Sequence, residues 1–170
     1  IFERGVQLAR RSSDEDLIAR AEYWLGYYCY ARGDLRRSIE HSDIALGLAR
    51  RLENLRLEAQ VRATLGQALT SASQYDRALE NLDAAIEVKQ RFGRGSVHMA
   101  VGSAYTLACK GVVFGDRGDF KLAHECFAQA KALLRGSDHQ VSSSMHAWLG
   151  LVYLWQGRWE EALRTAETAV

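Results

Sequence analysis

No proline occurs among the 170 residues. At the usual frequency of about 5%, roughly eight would be expected, and a chain that never uses the residue that breaks helices is expected to be helical throughout. Cysteine is scarce. Cys29, Cys109 and Cys126 are odd in number and lack CxxC spacing, which argues against a disulfide framework or a zinc ribbon and fits a reducing compartment with core thiols. Excess charge of one sign is missing too: 22 Lys and Arg stand against 21 Asp and Glu, a net charge of +1, so nothing marks a nucleic-acid partner. No apolar run approaches the ~18 residues of a membrane span, and the N-terminus lacks a basic-then-apolar signal pattern. A cytoplasmic protein without membrane attachment is the expectation. The sequence begins at Ile1 without an initiator Met and stops at Val170 in a segment that reads as helix, so a piece of a longer polypeptide is expected.

The composition itself is ordinary, 48% hydrophobic and 25% charged, as in soluble globular domains. What the sequence does carry is a repeat. Leu25-Gly26, Leu65-Gly66, Lys110-Gly111 and Leu149-Gly150 open one pattern, the glycines standing 40, 45 and 39 residues apart. Seven residues after each glycine comes a turn pair: Gly33-Asp34, Ser73-Gln74, Gly118-Asp119, Gly157-Arg158. Nine after it is a large apolar residue (Leu35, Tyr75, Phe120, Trp159), twelve after it a small one (Ser38, Ala78, Ala123, Ala162), and nineteen after it an alanine (Ala45, Ala85, Ala130, Ala169). Leu8-Ala9-Arg10-Arg11 recurs as Leu48-Ala49-Arg50-Arg51, which makes the first residues the tail of an earlier unit.

Each unit reads as two helices. The first carries apolar residues at helical spacing, as in Ala21, Trp24, Leu25, Tyr28 and Cys29, and runs into a Gly-Asp pair suited to a C-terminal cap followed by an N-cap. The glycine and the small residue twelve later are expected to face each other, where missing bulk lets two backbones approach. The units are residues 1–11 (tail), 14–53, 54–93, 96–136 and 138–170 (truncated), in one array. The variable length falls in the links, of which Gly93-Arg94-Gly95-Ser96 is the expected flexible point. A lone hairpin cannot bury its apolar faces, so stacking is required, and the expected fold class is all-α: an α-α superhelix, a right-handed solenoid of helix-turn-helix units.

These offsets resemble the tetratricopeptide repeat. Its pattern is met by Trp24, Leu25-Gly26, Gly33-Asp34-Leu35, Ser38 and Ala45, and by Leu149-Gly150, Tyr153, Gly157, Trp159, Ala162 and Ala169. The proline that ends the family's unit is absent and the period is about forty, a form similar to arrays in multidomain bacterial signalling regulators that carry cyclase or ATPase modules, and to the forty-residue arrays of polarity adaptors. The resemblance implies a concave groove lined by the first helices. In this register it assigns to the groove Arg20, Tyr23, Tyr27 and Tyr30 in the first unit, and Gln60, Gln67 and Thr70 in the second. The third contributes Tyr105, Val112 and Asp116, and the fourth Ser144, Leu151 and Trp155. Aromatic and Arg side chains are frequent binding anchors. The residue set that grips chaperone tails in this family is not matched, since its places hold Arg20, Tyr23, Trp24 and Tyr27.

Catalysis has little to stand on. No GxxxxGK[ST], HExxH or GxSxG occurs, and His41, His98, His124, His139 and His146 share no metal-ligand spacing. No cofactor and no metal is expected, nor an enzyme within this segment. Of the arginine pairs Arg10-Arg11, Arg36-Arg37 and Arg50-Arg51, two fall at expected helix C-termini, a structural placement. The expected function is a scaffold from a larger signalling protein that binds a protein, a peptide or another domain of its own chain in the groove. The alternative is a small-molecule sensor, since Tyr, Gln and Trp also suit a sugar or nucleotide. Homo-association through exposed terminal helices is a further expected use.

Overall fold

In the computed structural model, residues 1–91, 97–134 and 140–169 are described, and they are helical with short turns between. No strand occurs among them. The helices are α1 (Phe2–Ser12), α2 (Glu15–Ala31), α3 (Leu35–Arg51), α4 (Leu55–Ser71), α5 (Tyr75–Arg91), α6 (Val97–Asp116), α7 (Phe120–Leu133), α8 (Gln140–Trp155) and α9 (Trp159–Glu167). They fall into two compact units, Ile1–Arg91 and Phe92–Val170. The Gly93–Ser96 link lies outside the described residues.

The first unit is α1 followed by the hairpins α2/α3 and α4/α5, with α4 packed on α3 and touching α2. The second is α6/α7 and α8/α9, with α8 packed on both α6 and α7. This is the expected all-α repeat of hairpins. All three cysteines are free and buried, as expected of core thiols. No helix among the described residues is long and apolar enough to cross a membrane.

The four turns inside the hairpins share one geometry. Gly33, Ser73, Gly118 and Gly157 have left-handed backbones, with φ of 78°, 57°, 83° and 72°. The next residue's N–H reaches back to Cys29, Leu69, Phe114 and Tyr153 carbonyls at 2.9, 2.9, 2.8 and 2.9 Å. That is the bond pattern by which a left-handed residue ends a helix and pairs its last carbonyls. The N-cap expectation holds for Asp34, which accepts from the Arg37 N–H at 3.2 Å. Asp119 and Arg158 make no such side-chain bond.

The glycine that opens each repeat lies against the second helix. A methyl group built on Gly66 would sit 2.6 Å from Leu82 Cγ and 3.4 Å from the Ala78 carbonyl; on Gly111, 2.7 Å from the Phe127 ring and 3.3 Å from the Ala123 carbonyl. On Gly26 it would meet Ser42 Oγ at 2.9 Å and the Ser38 carbonyl at 3.3 Å, while at Gly150 the Ala162 carbonyl stands at 3.5 Å. The carbonyl of the small residue twelve positions on is a neighbour at all four glycines, as the spacing requires, and at Gly26, Gly66 and Gly111 the side chain sixteen positions on stands closer still. Gly66→Ala is expected to destabilise the first unit by about 1–3 kcal/mol through overpacking, read by denaturant unfolding.

One core feature departs from the expected apolar pattern. Glu22, four residues before Gly26, is fully buried. Its carboxylate accepts from Arg10 Nη2 at 2.6 Å and pairs with His41 Nδ1 at 2.7 Å, which ties α1, α2 and α3 together. The equivalent places in the next hairpin hold Arg62 and Asn81, bonded at 3.2 Å, with Arg62 also donating to Glu58 at 2.8 Å. In α6/α7 the same two places hold Leu107 and Cys126. Trp24 corrects the register implied by the family resemblance: it is half-exposed, and the side chain that packs into the hairpin near the start of α2 is Glu22. Glu22→Ala is expected to cost about 1.5–3 kcal/mol, the worth of charged hydrogen bonds. The pair Glu22→Leu with His41→Cys, copied from the α6/α7 hairpin, is expected to recover most of it, because apolar replacement of the carboxylate and the imidazole removes the desolvation penalty as well, and Arg10, its other partner, is more than half exposed and left to water. Thermal unfolding of the single and double variants checks this.

Candidate binding face

Each first helix presents a row of side chains set by the glycine register, and the structure sorts the expected residues by what they touch. On α2, Arg20 and Tyr27 are exposed while Tyr23 and Tyr30 are half-buried. The Tyr23, Trp24 and Tyr27 rings form a cluster, with centroids 5.2 and 6.1 Å apart along the row. Burial pushes the Tyr23 phenol above its ordinary range, opposed by its hydrogen bond with Thr64 of α4. Tyr23 therefore joins the two first helices of this unit. Arg20 is held by Asp16 at 2.6 Å, and Asp16 also accepts from Asn54 at 2.9 Å. These two donors keep the Asp16 carboxyl below its usual range.

On α4, Gln60 is exposed and Gln67 half-buried. Thr70 does not belong on a binding face. It is buried, and its hydroxyl donates to the Gly66 carbonyl at 2.7 Å, the back-bond by which a threonine within a helix satisfies itself.

In the second unit, Tyr105 is half-buried against Trp148 of α8, edge to face at 5.4 Å. Val112 is half-buried and packs on the α6–α8 core. Asp116, Leu151 and Trp155 are exposed and Ser144 half-buried. Trp155 Cζ3 stands 3.1 Å from where a Cβ on Gly115 would be, so the ring packs against α6 while 38% of the residue remains exposed. The outward-facing residues are thus Arg20, Tyr27 and Gln60 in one unit and Asp116, Leu151 and Trp155 in the other. Tyr23, Tyr30, Gln67, Tyr105, Val112 and Ser144 are half in the packing, because neighbouring first helices need filling between them.

Five of the six paired arginines are bound within the chain, Arg10 among them to Glu22. Arg10 and Arg11, and Arg50 and Arg51, stand in the last turns of α1 and α3. Arg51 is bound to Glu15 at 2.7 Å and Arg50 to Glu58 at 3.3 Å. Arg36 pairs with Glu40 at 2.7 Å and Arg37 with Glu3 at 2.6 Å. Among the described residues, no three His, Cys, Asp or Glu side chains gather in metal-binding geometry; His139 and the side chain of His98 lie outside them. Sequence reasoning missed one exposed set, Leu17, Trp24 and Tyr28 on α2. Its signal was present in the helical spacing, but apolar residues at that spacing read as core.

No protein-family model matches this sequence, and no curated protein matches it. Solved structures do. BtubC (BKLC) from P. vanneervenii superposes with a TM-score of 0.74 at 19% identity, over 99% of this chain and 68% of that one. A Rap protein, solved in complex with Competence and Sporulation Factor, superposes with a TM-score of 0.69 at 19% identity, over 99% of this chain. This chain spans 42% of that protein's length. The chain therefore has an all-helical repeat fold.

Because Asp16 is held below its unfolded value, its contribution to stability is present above about pH 4 and lost as pH falls through the folded-state value. Asp16→Asn is expected to be less stable than the parent at neutral pH, with the difference vanishing in acid. Thermal unfolding followed across pH checks the sign.

Proposed function

We propose that this chain is a tetratricopeptide-type scaffold of the long, proline-free form, belonging to a larger cytoplasmic signalling protein, and that its first-helix faces bind a peptide or a partner protein. The observation that carries the reading is that, in each unit taken by itself, the first helices bear a row of aromatic and polar side chains in the register of the repeat glycines. Tyr27 and Trp155 are large, partly fixed and still exposed, the state in which aromatic side chains serve as anchors. Arg20 is held in one orientation by Asp16, which reduces the ordering cost of a contact. The likeness to a Rap protein solved with Competence and Sporulation Factor supports a peptide or protein ligand. In this reading the segment binds and does not catalyse.

Peptides selected on the parent protein from a displayed random library test the reading. They are expected to lose at least about 2 kcal/mol of binding, roughly thirtyfold in Kd, on the variant Tyr23→Ala, Tyr27→Ala, Trp155→Ala, with helicity by circular dichroism unchanged. Unchanged affinity takes the site off the first-helix faces. Failure to select any peptide, together with a saturable rise in melting temperature from a sugar or nucleotide, replaces this reading with a small-molecule sensor.

A further inference from the structure

The four repeats align residue by residue, and in the C-terminal unit two positions depart from the pattern together. Five residues after the repeat glycine stand Ala31, Ser71, Asp116 and Trp155, and all four are exposed. The position faces outward in the second and third repeats as it does in the first and fourth, so the exposure of Trp155 follows from its register. Only the fourth repeat carries an aromatic side chain there. One residue after the glycine stand Tyr27, Gln67, Val112 and Leu151, each exposed or half-buried. Leu151 and Trp155 are thus one helical turn apart on an outward stripe of α8.

The second departure lies beneath the tryptophan. Four residues after the repeat glycine stand Tyr30, Thr70, Gly115 and Leu154. Gly115 alone lacks a side chain. It lies within helix α6 and, unlike Gly33, Gly118 and Gly157, has no positive φ, so no turn calls for glycine here. Space does. A methyl group built on Gly115 would stand 2.7 Å from Val152 Cγ2, and 3.1 and 3.2 Å from Trp155 Cζ3 and Cε3. Val152 is fully buried. The backbone of α6 therefore comes close to α8 at this glycine, and the six-membered edge of the indole rests in a gap that Tyr, Thr or Leu would fill. In a closely packed interior such a contact holds a ring in place.

Charge says what would lie on that ring. From Gln140 to Trp155, α8 contains no Asp, Glu, Lys or Arg. An outward apolar pair on a helix without ionic side chains offers little to an ion and favours hydrocarbon, whose burial is its own driving force.

We infer that Gly115 is a positioning residue, that Trp155 is the anchor it positions, and that ring and Leu151 together seat one aliphatic side chain of a bound peptide. The inference rests on the reading of the first-helix rows as peptide-binding faces. It adds what holds the ring ready in the C-terminal unit and which kind of peptide residue meets it. A ring that is already held loses less freedom on binding than a free one, which favours affinity.

The seat and its occupant are tested separately. In protein labelled with 5-fluorotryptophan, the fluorine resonance of Trp155 is identified by its loss in Trp155→Phe. Gly115→Ala presses on Val152 as well as on the ring, so it is made in the Val152→Ala background, where the ring is the close neighbour that remains. There it is expected to shift the Trp155 resonance and to leave that of Trp24 and the helicity unchanged. A Trp155 resonance that does not move overturns the positioning role. For the occupant, peptides are selected on the parent protein from a displayed random library, and each aliphatic residue is replaced in turn by serine. One replacement is expected to weaken binding about tenfold on the parent and to have little further effect on Trp155→Ala, because its partner is already gone. Gly115→Ala in the Val152→Ala background is expected to weaken the unaltered peptide about tenfold relative to Val152→Ala alone. Absence of coupling between any aliphatic residue and Trp155, or coupling of Trp155 to a charged residue instead, overturns the aliphatic seat. Failure to select any peptide removes the binding reading and the anchor with it, whereas an unmoved Trp155 resonance removes the seat while peptide binding stands.

Discussion

The structure depends on a missing side chain. Gly26, Gly66 and Gly111 let the backbone of the first helix approach the second helix beside the small residue twelve positions later, with no room for a methyl group at Gly66 and Gly111, while at Gly150 the contact is an ordinary one. That contact fixes the rotation of one helix about its axis against the other. Once the rotation is fixed, everything else on the first helix has a defined direction: the alanine and leucine core inward, Arg20, Tyr27 and Gln60 outward, Thr64 and Ala68 into the neighbouring hairpin. A left-handed residue seven positions after the glycine then closes each hairpin, so the two constraints that build a repeat are both backbone constraints.

This explains which parts of the molecule were legible in the sequence. Glycine recurs at the helix contact in all four repeats and at the left-handed turn in three, with Ser73 in the other, so the spacing can be read without a structure. The helix ends followed directly from it. The side chains between the fixed points are less constrained. Glu22 was illegible because its partners, Arg10 and His41, are 12 and 19 residues away and gather only when three helices pack. Trp24 was misread for the opposite reason: a tryptophan near the start of a repeat looks like packing, and only the uncovered side of α2 shows it facing outward. Thr70 occupied a groove register yet turned its hydroxyl onto its own helix, since a buried hydroxyl takes the nearest carbonyl.

Ionic contacts join the helices of the first unit beside its apolar core. Glu22 in one hairpin and the Glu58–Arg62–Asn81 group in the next occupy related positions, while the α6/α7 hairpin uses Leu107 and Cys126 there. The two hairpins hold either chemistry with both members changed together, because removing one partner leaves an uncompensated buried charge whereas replacing both by apolar groups also removes the desolvation penalty.

The close approach at the repeat glycines is most directly measured by nuclear Overhauser contacts in solution. The account predicts strong cross-peaks from the Gly66 α-protons to the Leu82 methyl groups and from the Gly111 α-protons to the Phe127 ring. Their absence, in a sample whose helices are otherwise formed, would contradict the hairpin register on which every outward-facing residue has been placed.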